Sequence, residues 1–519
     1  MASSMTGGSR QGEGLAFKSS KSWTMAILLV LVALAIWVRL DGLGDWGLWR
    51  DEAQCVFIAQ KSFPAGIVDA LLGEAHPPLY YSMQHFWIEL VGWSEFRIRF
   101  LSTIFGILLI PGLYLAGQRL FGPLAGLGAA LFGAFAPLHV AVSQTTRMYS
   151  LLSLLALLSA WLLFEAWKRG GWWWMGYVLA TAGVLYTHNW GMFLVVAQNG
   201  FALWMMWTRK QFQQRLVSWV VVQLAVGILF LPWFLRILQQ MKIIEVLPFV
   251  PDPAPADTIW RLSGDLLAFW PAMLLWIALL GIGLWPRMKS EPAHDETDGT
   301  LALAIWCSLG TLAIGLTVSL QTYGGVPSYV TLVAFPALCL LLGRGLTRLR
   351  RPWLVLPLAA LVAIVSFSGM DRLQYGFRST LREIAATVER EAGPNDMIVV
   401  APDYLATTFN TYFQGEQAQI AFPWNMERLE EINCVGWNDR WHRAAEAVPA
   451  TLDVISSQLE SGDRVWLIAA LDEYPEEKLY YEQVRRLKAE LETRYELLEV
   501  RDNFRNGAEW ADIFLFEIL

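Results

Sequence analysis

The chain has 519 residues, of which 55% are hydrophobic and only 16% are charged, and it contains 27 tryptophans. This balance excludes an ordinary soluble domain and indicates a protein that crosses a membrane many times. The formal net charge of −7 disfavours nucleic acid as a partner, because the basic residues lie in short loops of the apolar part while the acidic residues concentrate in the tail.

The N-terminal part of the chain changes character near residue 23. Residues 1–22 are rich in Ser and Gly with a few basic residues, which predicts a disordered, cytoplasmic N-terminus. The apolar run at 23–40 is long enough to span a bilayer and lacks a small-residue cleavage site, so it predicts a membrane helix and not a signal peptide. Similar runs follow at residues 100–118, 124–142, 149–167, 172–186, 191–207, 216–238, 266–285, 301–320, 329–346 and 353–368. Together they predict about eleven membrane helices in a domain that covers residues 23–370.

A shorter apolar segment at 78–91 decides the topology, because Gln84, His85 and Glu89 interrupt it. If this segment lies in the interface as an amphipathic helix, the basic loop clusters all fall on the cytoplasmic side, as the positive-inside rule requires. If it crosses, the same clusters move outside. We therefore predict a first external loop over 41–99, a further external loop at 239–263, and an extracytoplasmic tail.

An adjacent pair of acids follows the first helix, at Asp51 and Glu52. Two carboxylates at a lipid boundary are costly to hold there unless they bind or react with something. The ordinary alternative is a solvated turn after a membrane helix. We interpret Asp51 as the chemical centre, because the predicted topology brings further polar residues to the same boundary.

These polar residues are scattered through the sequence and converge only through the topology. Each one by itself is also explained as an interfacial anchor whose charged end reaches water. The set as a whole is more informative than its members. It comprises Asp51, Glu52, Glu74, His76, Arg97, Arg99, Arg147, Tyr149, His188, Asn189, Arg236, Lys242 and Arg261.

Four short motifs occur in a characteristic order. They are Asp51-Glu52, HPPLYY at 76–81, EFRIR at 95–99 and Arg147-Met148-Tyr149. In this order and spacing, the set resembles the protein O-mannosyltransferase and aminoarabinose-transferase family of GT-C glycosyltransferases, over residues 23–240. The chain departs from the family pattern at Ser328, where many relatives carry an arginine before a tyrosine.

The resemblance implies sugar transfer from a polyprenyl-phosphate carrier at the external face of a bacterial inner membrane, with inversion at the sugar. Such a reaction needs a base for the acceptor hydroxyl and cations for the leaving phosphate. Asp51 suits the role of carboxylate base, which is worth about 10²- to 10⁴-fold in rate. Glu52 is the alternative base, or it orients the acceptor or a catalytic arginine. The acceptor is a lipid, a glycan or a protein, and the sequence does not select among them.

The phosphate requires cationic side chains at the same boundary. Arg147 is the first candidate, because it precedes a membrane helix and a guanidinium binds phosphate oxygens in pairs. The other candidates for donor phosphate or substrate binding are Tyr149, His76, Arg97, Arg99, His188 and Asn189. No cofactor is required by this chemistry. If a divalent metal takes part, Asp51, Glu52 and His76 are the ligands that would hold it.

The tail from residue 371 to residue 519 changes to the composition of a soluble domain. A helical pattern at 380–391 precedes buried-strand runs at 397–400 and 464–469, and an acidic helix at 473–494 precedes strand-like segments at 495–500 and 512–519. Strands separated by helices predict a small α/β domain with a partly parallel sheet.

Three alternatives remain open from the sequence alone. A transporter or flippase of a lipid-linked substrate would place its charges near the bilayer midplane and show an internal repeat, and neither pattern is visible. A scaffold or receptor would leave the acidic pair without a role. A polysaccharide ligase or polymerase would use a diphosphate-linked donor in a related fold.

Overall fold

The computed structural model describes residues 21–74, 76–243, 270–285, 298–323, 328–349, 377–423, 437–471, 478–502 and 509–519, together with positions 357, 360, 361, 364 and 504. Within these ranges the chain forms a bundle of apolar helices followed by an α/β domain. The predicted helix at 353–368, most of the loop at 239–263 and the N-terminus before residue 21 lie outside the described residues.

The helices of the bundle follow one another with short connections. They are α1 Lys21–Leu40, α2 Arg50–Ala59, α3 Ala65–Ala70, α4 Leu79–Val91, α5 Glu95–Phe121, α6 Pro123–Phe135, α7 Pro137–Ser143, α8 Tyr149–Arg169, α9 Trp173–Thr187, α10 Gly191–Thr208, α11 Phe212–Ile243, α12 Trp270–Leu284, α13 Asp298–Ile305, α14 Thr311–Tyr323 and α15 Phe335–Thr347. A π-helical segment, Trp306–Gly310, joins α13 to α14, and a 3₁₀ segment, Ser328–Val333, precedes α15.

Several of these helices are suited to cross a membrane. Among the described residues, five helices have the length and apolar composition of a span, and a bent pair adds a sixth. They are Ser22–Leu40, Glu95–Phe121, Tyr149–Arg169, Phe212–Met241 and Gly299–Gln321, with the pair Pro123–Phe135 and Pro137–Ser143. The total of about eleven spans stays a prediction.

The predicted single span at 124–142 is wrong in one respect, because the structure bends it by 61° between α6 and α7. Pro137 opens α7 and has no N–H to continue the hydrogen-bond ladder of α6. The fully buried Arg39 of α1 donates from Nη2 to the carbonyl of Gly133 at 3.0 Å and from Nη1 to that of Ala134 at 2.9 Å. A guanidinium from a neighbouring helix thus satisfies carbonyls at the break.

Glycines bring α6 into backbone contact with both of its neighbours. A Cβ atom at Gly126 would lie 2.4 Å from the carbonyl oxygen of Tyr114 in α5, and one at Gly343 in α15 would lie 2.3 Å from that of Ala125. Neither position therefore tolerates a larger side chain without separating the helices. This close packing fixes α5, which carries part of the polar site at its N-terminal end.

Helix α4 occupies the segment that decides the topology. It has 13 residues, too few for a span of about 20 residues. One face is buried, with Tyr80 and Tyr81 inside and Gln84 donating to the carbonyl of Ile98 at 3.1 Å. Its length fits the predicted interfacial helix, and its position relative to the bilayer stays a prediction.

The C-terminal domain is built on a five-stranded sheet with the order β2-β1-β3-β5-β4. The strands are β1 Met397–Ala401, β2 Ala418–Ala421, β3 Arg464–Ala469, β4 Glu496–Arg501 and β5 Asp512–Glu517, and the helices are α16 Leu381–Glu391, α17 Tyr404–Tyr412, α18 Trp437–Gln458 and α19 Lys478–Arg494. Strands β2, β1 and β3 are parallel, whereas β5 and β4 are antiparallel. The predicted α/β domain with a partly parallel sheet is confirmed; β2, α17 and α18 were not predicted.

Both faces of this sheet are covered by helices. Ile398 and Val400 of β1 belong to the hydrophobic cluster that includes α16 and α17, while Met397 and Val399 belong to the cluster with α18 and α19. Alternate side chains of one strand therefore enter two different cores, as the pleat of a strand requires. The continuous apolar run that identified β1 in the sequence is the pattern of such a doubly covered strand.

The C-terminal domain packs on the segment between α1 and α2. Gly47 and Ser379 form an isolated antiparallel bridge, and the amide of Leu48 donates to the hydroxyl of Tyr412 at 2.7 Å. Arg382 extends this contact through an ion pair of 3.2 Å with Glu95 at the start of α5. The domain is thus anchored beside the helix that carries the two acids.

Candidate active site

The two adjacent acids lie in the first turn of α2 and face different environments. Negative side chains are favourable there, because a helix N-terminus carries partial positive charge. Consecutive helical residues point about 100° apart, so only one of the two acids faces the interior. The side chain of Glu52 is 0% exposed, whereas that of Asp51 is 26% exposed.

Glu52 forms a buried, two-pronged ion pair with Arg99. Arg99 donates from Nε to Oε1 at 2.9 Å and from Nη2 to Oε2 at 2.7 Å. Its remaining hydrogen bonds go to the carbonyls of Leu43, Trp46 and Gly47. All N–H groups of Arg99 are therefore used within the protein, and its predicted role in binding phosphate does not fit these contacts. Glu52 and Arg99 instead form a frame that fixes α2 against α5.

The same frame holds the loop between α7 and α8. The amide of Thr146 donates to Oε1 of Glu52 at 2.7 Å. On the next residue, the carbonyl of Arg147 accepts from Ser102 at 2.8 Å, and Ser102 lies 2.7 Å from the hydroxyl of Tyr80. Two anchors on successive residues determine where the side chain of Arg147 begins.

The guanidinium of Arg147 is buried but only loosely paired. Nη1 donates to the backbone carbonyl of Asp51 at 3.2 Å and to the hydroxyl of Tyr81 at 3.4 Å. Nη2 lies 3.8 Å from Oδ2 of Asp51 and 3.5 Å from Nδ1 of His76. Nε has no hydrogen-bond partner among the described residues. Arg147 therefore differs from Arg99, because its contacts are long and one donor is unused.

His76 approaches Arg147 from the segment that connects α3 and α4. Its Nδ1 lies 2.6 Å from Oε1 of Glu74, so the pair shares a proton donor and an acceptor. Gln240 near the end of α11 donates to the carbonyls of Leu71 and Glu74, at 2.6 Å each. A helix distant in sequence thus holds this segment at the site.

His188 completes the cluster from the junction of α9 and α10. Its ring centroid lies 5.1 Å from that of His76 and 5.9 Å from that of Tyr149. Burial holds the pKa of His188 well below its usual value, and the nearby His76 and Arg147 lower it further. Its Nδ1 accepts from the amide of Trp190 at 3.1 Å, so the neutral ring carries its proton on Nε2. That buried Nε2 makes no hydrogen bond within the described part of the chain.

Two predicted residues lie at the margin of this cluster or outside it. Asn189 is half-buried beside His188, and its carbonyl accepts from the amide of Met192 at the start of α10. Arg97 is exposed in the first turn of α5 with a guanidinium nitrogen beside Gly92. Arg97 thus points away from Arg147, and its predicted role in phosphate binding does not fit this position.

The structure also brings forward residues to which no role was given from the sequence. Tyr81 and Ser102 contact Arg147 directly, and Glu509 of the C-terminal domain accepts a hydrogen bond from the amide of Arg50. Tyr81 was visible in the HPPLYY motif, whereas neither Ser102 nor Glu509 belongs to a recognisable pattern. In the ranges that the structure covers, no group of three or more His, Cys, Asp or Glu side chains is arranged to hold a metal ion.

The fold and the cluster around Asp51 and Arg147 define a multi-pass membrane protein with a polar site at one end of its helices. Residues 75–235 match the family model for dolichyl-phosphate-mannose-protein mannosyltransferase. These residues include Arg147, His76 and His188. A search among curated proteins finds no match.

Solved structures identify the fold of the whole chain. It is similar to ArnT from Cupriavidus metallidurans bound to undecaprenyl phosphate, with a TM-score of 0.60 and 15% identity over 94% of this chain and 98% of that chain. It is also similar to AglB from Archaeoglobus fulgidus in complex with an inhibitory peptide and a dolichol-phosphate, with a TM-score of 0.55 and 10% identity over 93% of this chain and 73% of that chain. The protein therefore has the fold of GT-C glycosyltransferases, as its motifs indicate.

Proposed function

We propose that this protein transfers a sugar from a polyprenyl-phosphate carrier to an acceptor hydroxyl at the extracytoplasmic face of the membrane. Its fold supports the proposal, since ArnT, which it resembles, is described as bound to undecaprenyl phosphate, and AglB as bound to a dolichol-phosphate. The family model over residues 75–235 names a dolichyl-phosphate-linked sugar as well. A phosphate monoester of a long isoprenoid alcohol is the feature that these proteins share.

One observation carries the proposal at the level of residues. Arg147 is a buried cation, 3% exposed, whose longest contact is with the accessible carboxylate of Asp51 at 3.8 Å. A buried charge without a close partner is costly unless a ligand supplies one. A phosphate supplies several oxygen acceptors and negative charge, and a guanidinium binds it through paired hydrogen bonds. Arg147 thus fits the leaving phosphate of the donor.

The chemistry assigned to the cluster is an inverting displacement at the anomeric carbon. Asp51 accepts the proton of the acceptor hydroxyl while the hydroxyl oxygen attacks the anomeric carbon. The bond from that carbon to the phosphate oxygen breaks, and the electron pair leaves with the phosphate on Arg147. When the phosphate binds, it replaces the weak contact between Arg147 and Asp51 and leaves the carboxylate free to act as base.

Three aromatic residues beside this pair are proposed to contact the donor. His188 directs an unused Nε2–H from a buried, neutral ring, which suits a sugar hydroxyl or a phosphate oxygen. Tyr149 and His76 pack around that ring and restrict its orientation. Asn189, which is next to His188, is assigned to the same subsite. No metal is invoked, because Arg147 already supplies positive charge at the phosphate.

The proposed location is the inner membrane of a bacterium, with the α/β domain outside the cytoplasm. In that orientation Asp51, Arg147 and the docked domain share the external side with the lipid-linked donor. The acceptor is a lipid, a glycan or a protein that presents a hydroxyl group there.

The test is a transfer assay with purified protein in lipid and a panel of undecaprenyl-phosphate sugars, with matching diphosphate-linked donors alongside. We expect turnover with a monophosphate donor, and loss of turnover but retained donor binding in Asp51→Asn. Turnover with diphosphate donors alone would instead support a ligase or polymerase. Movement of labelled donor across vesicles without any transfer product would support a flippase.

A further inference from the structure

The N-terminus of α2 receives its cap from the opposite end of the chain. Glu509 lies just before β5, and Oε1 and Oε2 of its carboxylate are 3.2 Å and 3.0 Å from the amide nitrogen of Arg50. Arg50 is the first residue of α2. The preceding residue, Trp49, provides no side-chain cap, although the first amides of a helix need acceptors.

The carboxylate of Glu509 is held by the C-terminal domain on its other side. Thr408 of α17 donates to Oε2 at 3.3 Å, and Ser379 is a second hydroxyl neighbour. The backbone of Glu509 is fixed as well, because its amide donates to the carbonyl of Arg378 and its carbonyl accepts from the amide of Thr380, both at 3.1 Å. The acid therefore has little freedom to move independently of its domain.

Arg50 links this contact to the proposed base. Its guanidinium lies 5.0 Å above the ring of Tyr404 in α17, and its Nε lies 3.6 Å from Oδ1 of Asp51. The C-terminal domain thus holds both the backbone and the side chain of the residue that precedes Asp51. A shift of the domain would move the first turn of α2 with it.

We propose that Glu509 is a positioning residue, through which the C-terminal domain sets the orientation of the first turn of α2 and the place of the Asp51 carboxylate. This inference rests on the proposed function, because it assigns Glu509 to the same reaction. Glu509 does not contact the reacting atoms and acts only through Arg50.

The charge of Glu509 gives the proposal a pH-dependent signature. Burial raises the pKa of Glu509 to about 7, although Arg50 opposes the shift. Arg50 and Asp51, both on α2, are the charged groups that face it, while its neighbours in the C-terminal domain are hydroxyls; Arg378 directs its guanidinium over Trp46. An ionised carboxylate accepts a stronger hydrogen bond than a protonated one, so the cap weakens as the pH falls through 7.

The experiment compares the wild type with Glu509→Ala, Glu509→Gln and the exposed control Glu490→Gln on α19. For Glu509→Ala we expect kcat to fall by about tenfold to a hundredfold, the range for a small misplacement of a catalytic group, with an unchanged KM for the donor. Glu509→Gln keeps the shape and one acceptor, so it should retain most of its kcat at pH 8. It should also lose the decrease in kcat that the wild type shows as pH falls through 7. The control should behave as the wild type.

A wild-type kcat in Glu509→Ala, or an unchanged pH profile in Glu509→Gln, would overturn the inference. Hydrogen exchange of the first-turn amides of α2 provides a readout that does not depend on turnover. If no donor is used by the wild type, the proposed function fails. Faster exchange at Arg50 in Glu509→Ala would then still support the positioning contact, and unchanged exchange would refute it.

Discussion

Two neighbouring carboxylates, Asp51 and Glu52, are expected to respond in opposite ways to the same substitution. Replacement of either by the amide removes one charge and almost no volume. Glu52→Gln leaves Arg99 charged, 5% exposed and without its ion-pair partner. Breaking a buried pair in this way typically costs about 3–5 kcal/mol. The amide of Thr146 also loses a charged acceptor.

Asp51→Asn should leave stability nearly unchanged. Its nearest cations are Arg50 at 3.6 Å and Arg147 at 3.8 Å, and a quarter of its side chain is exposed. Ion pairs of this kind contribute about 0–1 kcal/mol. Sugar transfer should nevertheless fall by about 10²- to 10⁴-fold, because the proposed base is lost.

The assay is a pair of measurements on each variant in lipid nanodiscs, namely the midpoint of thermal unfolding and the initial rate of sugar transfer. The double variant Glu52→Gln, Arg99→Met is the control, since removal of both charges should recover part of the stability that Glu52→Gln loses. The reasoning would be refuted if Asp51→Asn unfolded as easily as Glu52→Gln, or if Glu52→Gln were as stable as the wild type.

Three further predictions concern other buried cations and histidine. Arg147→Lys keeps the charge but loses paired hydrogen bonding, so transfer should fall at least tenfold and donor binding should weaken, whereas Arg97→Lys, its exposed match, should retain wild-type rates; equal losses in both would contradict the assignment. His188 is neutral in the folded protein because its pKa is lowered, so the unfolded chain binds more protons below about pH 6.5 and stability should decrease as pH falls through that value. His188→Gln should show a smaller decrease in unfolding midpoints between pH 7 and pH 5.5, and an identical decrease would count against a buried neutral ring. Arg39→Met leaves the carbonyls of Gly133 and Ala134 without these donors, at about 1–3 kcal/mol each; an unchanged unfolding midpoint would show that the bend between α6 and α7 does not need Arg39.

The sequence was sufficient to place Asp51, Arg147 and His76 together, because the positive-inside rule assigned their loops to one side of the membrane. It was not sufficient to separate Arg147 from Arg99. Both are arginines at helix ends near the same boundary. Their difference is the direction of the side chain: Arg99 reaches three carbonyls of the segment before α2, and Arg147 does not. That difference depends on tertiary packing, which local sequence patterns do not encode.

The fold shows the same division between local and distant information. Strand β1 was predictable, because a run of Met and β-branched residues fits a strand covered on both faces. Helix α17 was not, because its pattern is mixed and its role depends on the contacts of Tyr404 and Tyr412 with residues about 350 positions earlier. The bend at Pro137 carries a sequence signal, since proline disrupts a helix, but the compensating arginine on α1 could be found only in the structure.

The arrangement also explains why the acidic pair is adjacent in sequence. In the first turn of a helix, neighbouring side chains diverge by about 100°, so one carboxylate can enter the interior while the next faces the cavity side. Glu52 uses its position to fix α5 and the loop before α8, and both of these carry groups that hold Arg147. The proposed base therefore shares a helical turn with the anchor of the cation that faces it. Any motion that separated Asp51 from Arg147 would have to break the buried Glu52–Arg99 pair or bend α2 within one turn. Donor binding is thus expected to replace the long Asp51–Arg147 contact without a rearrangement of the backbone.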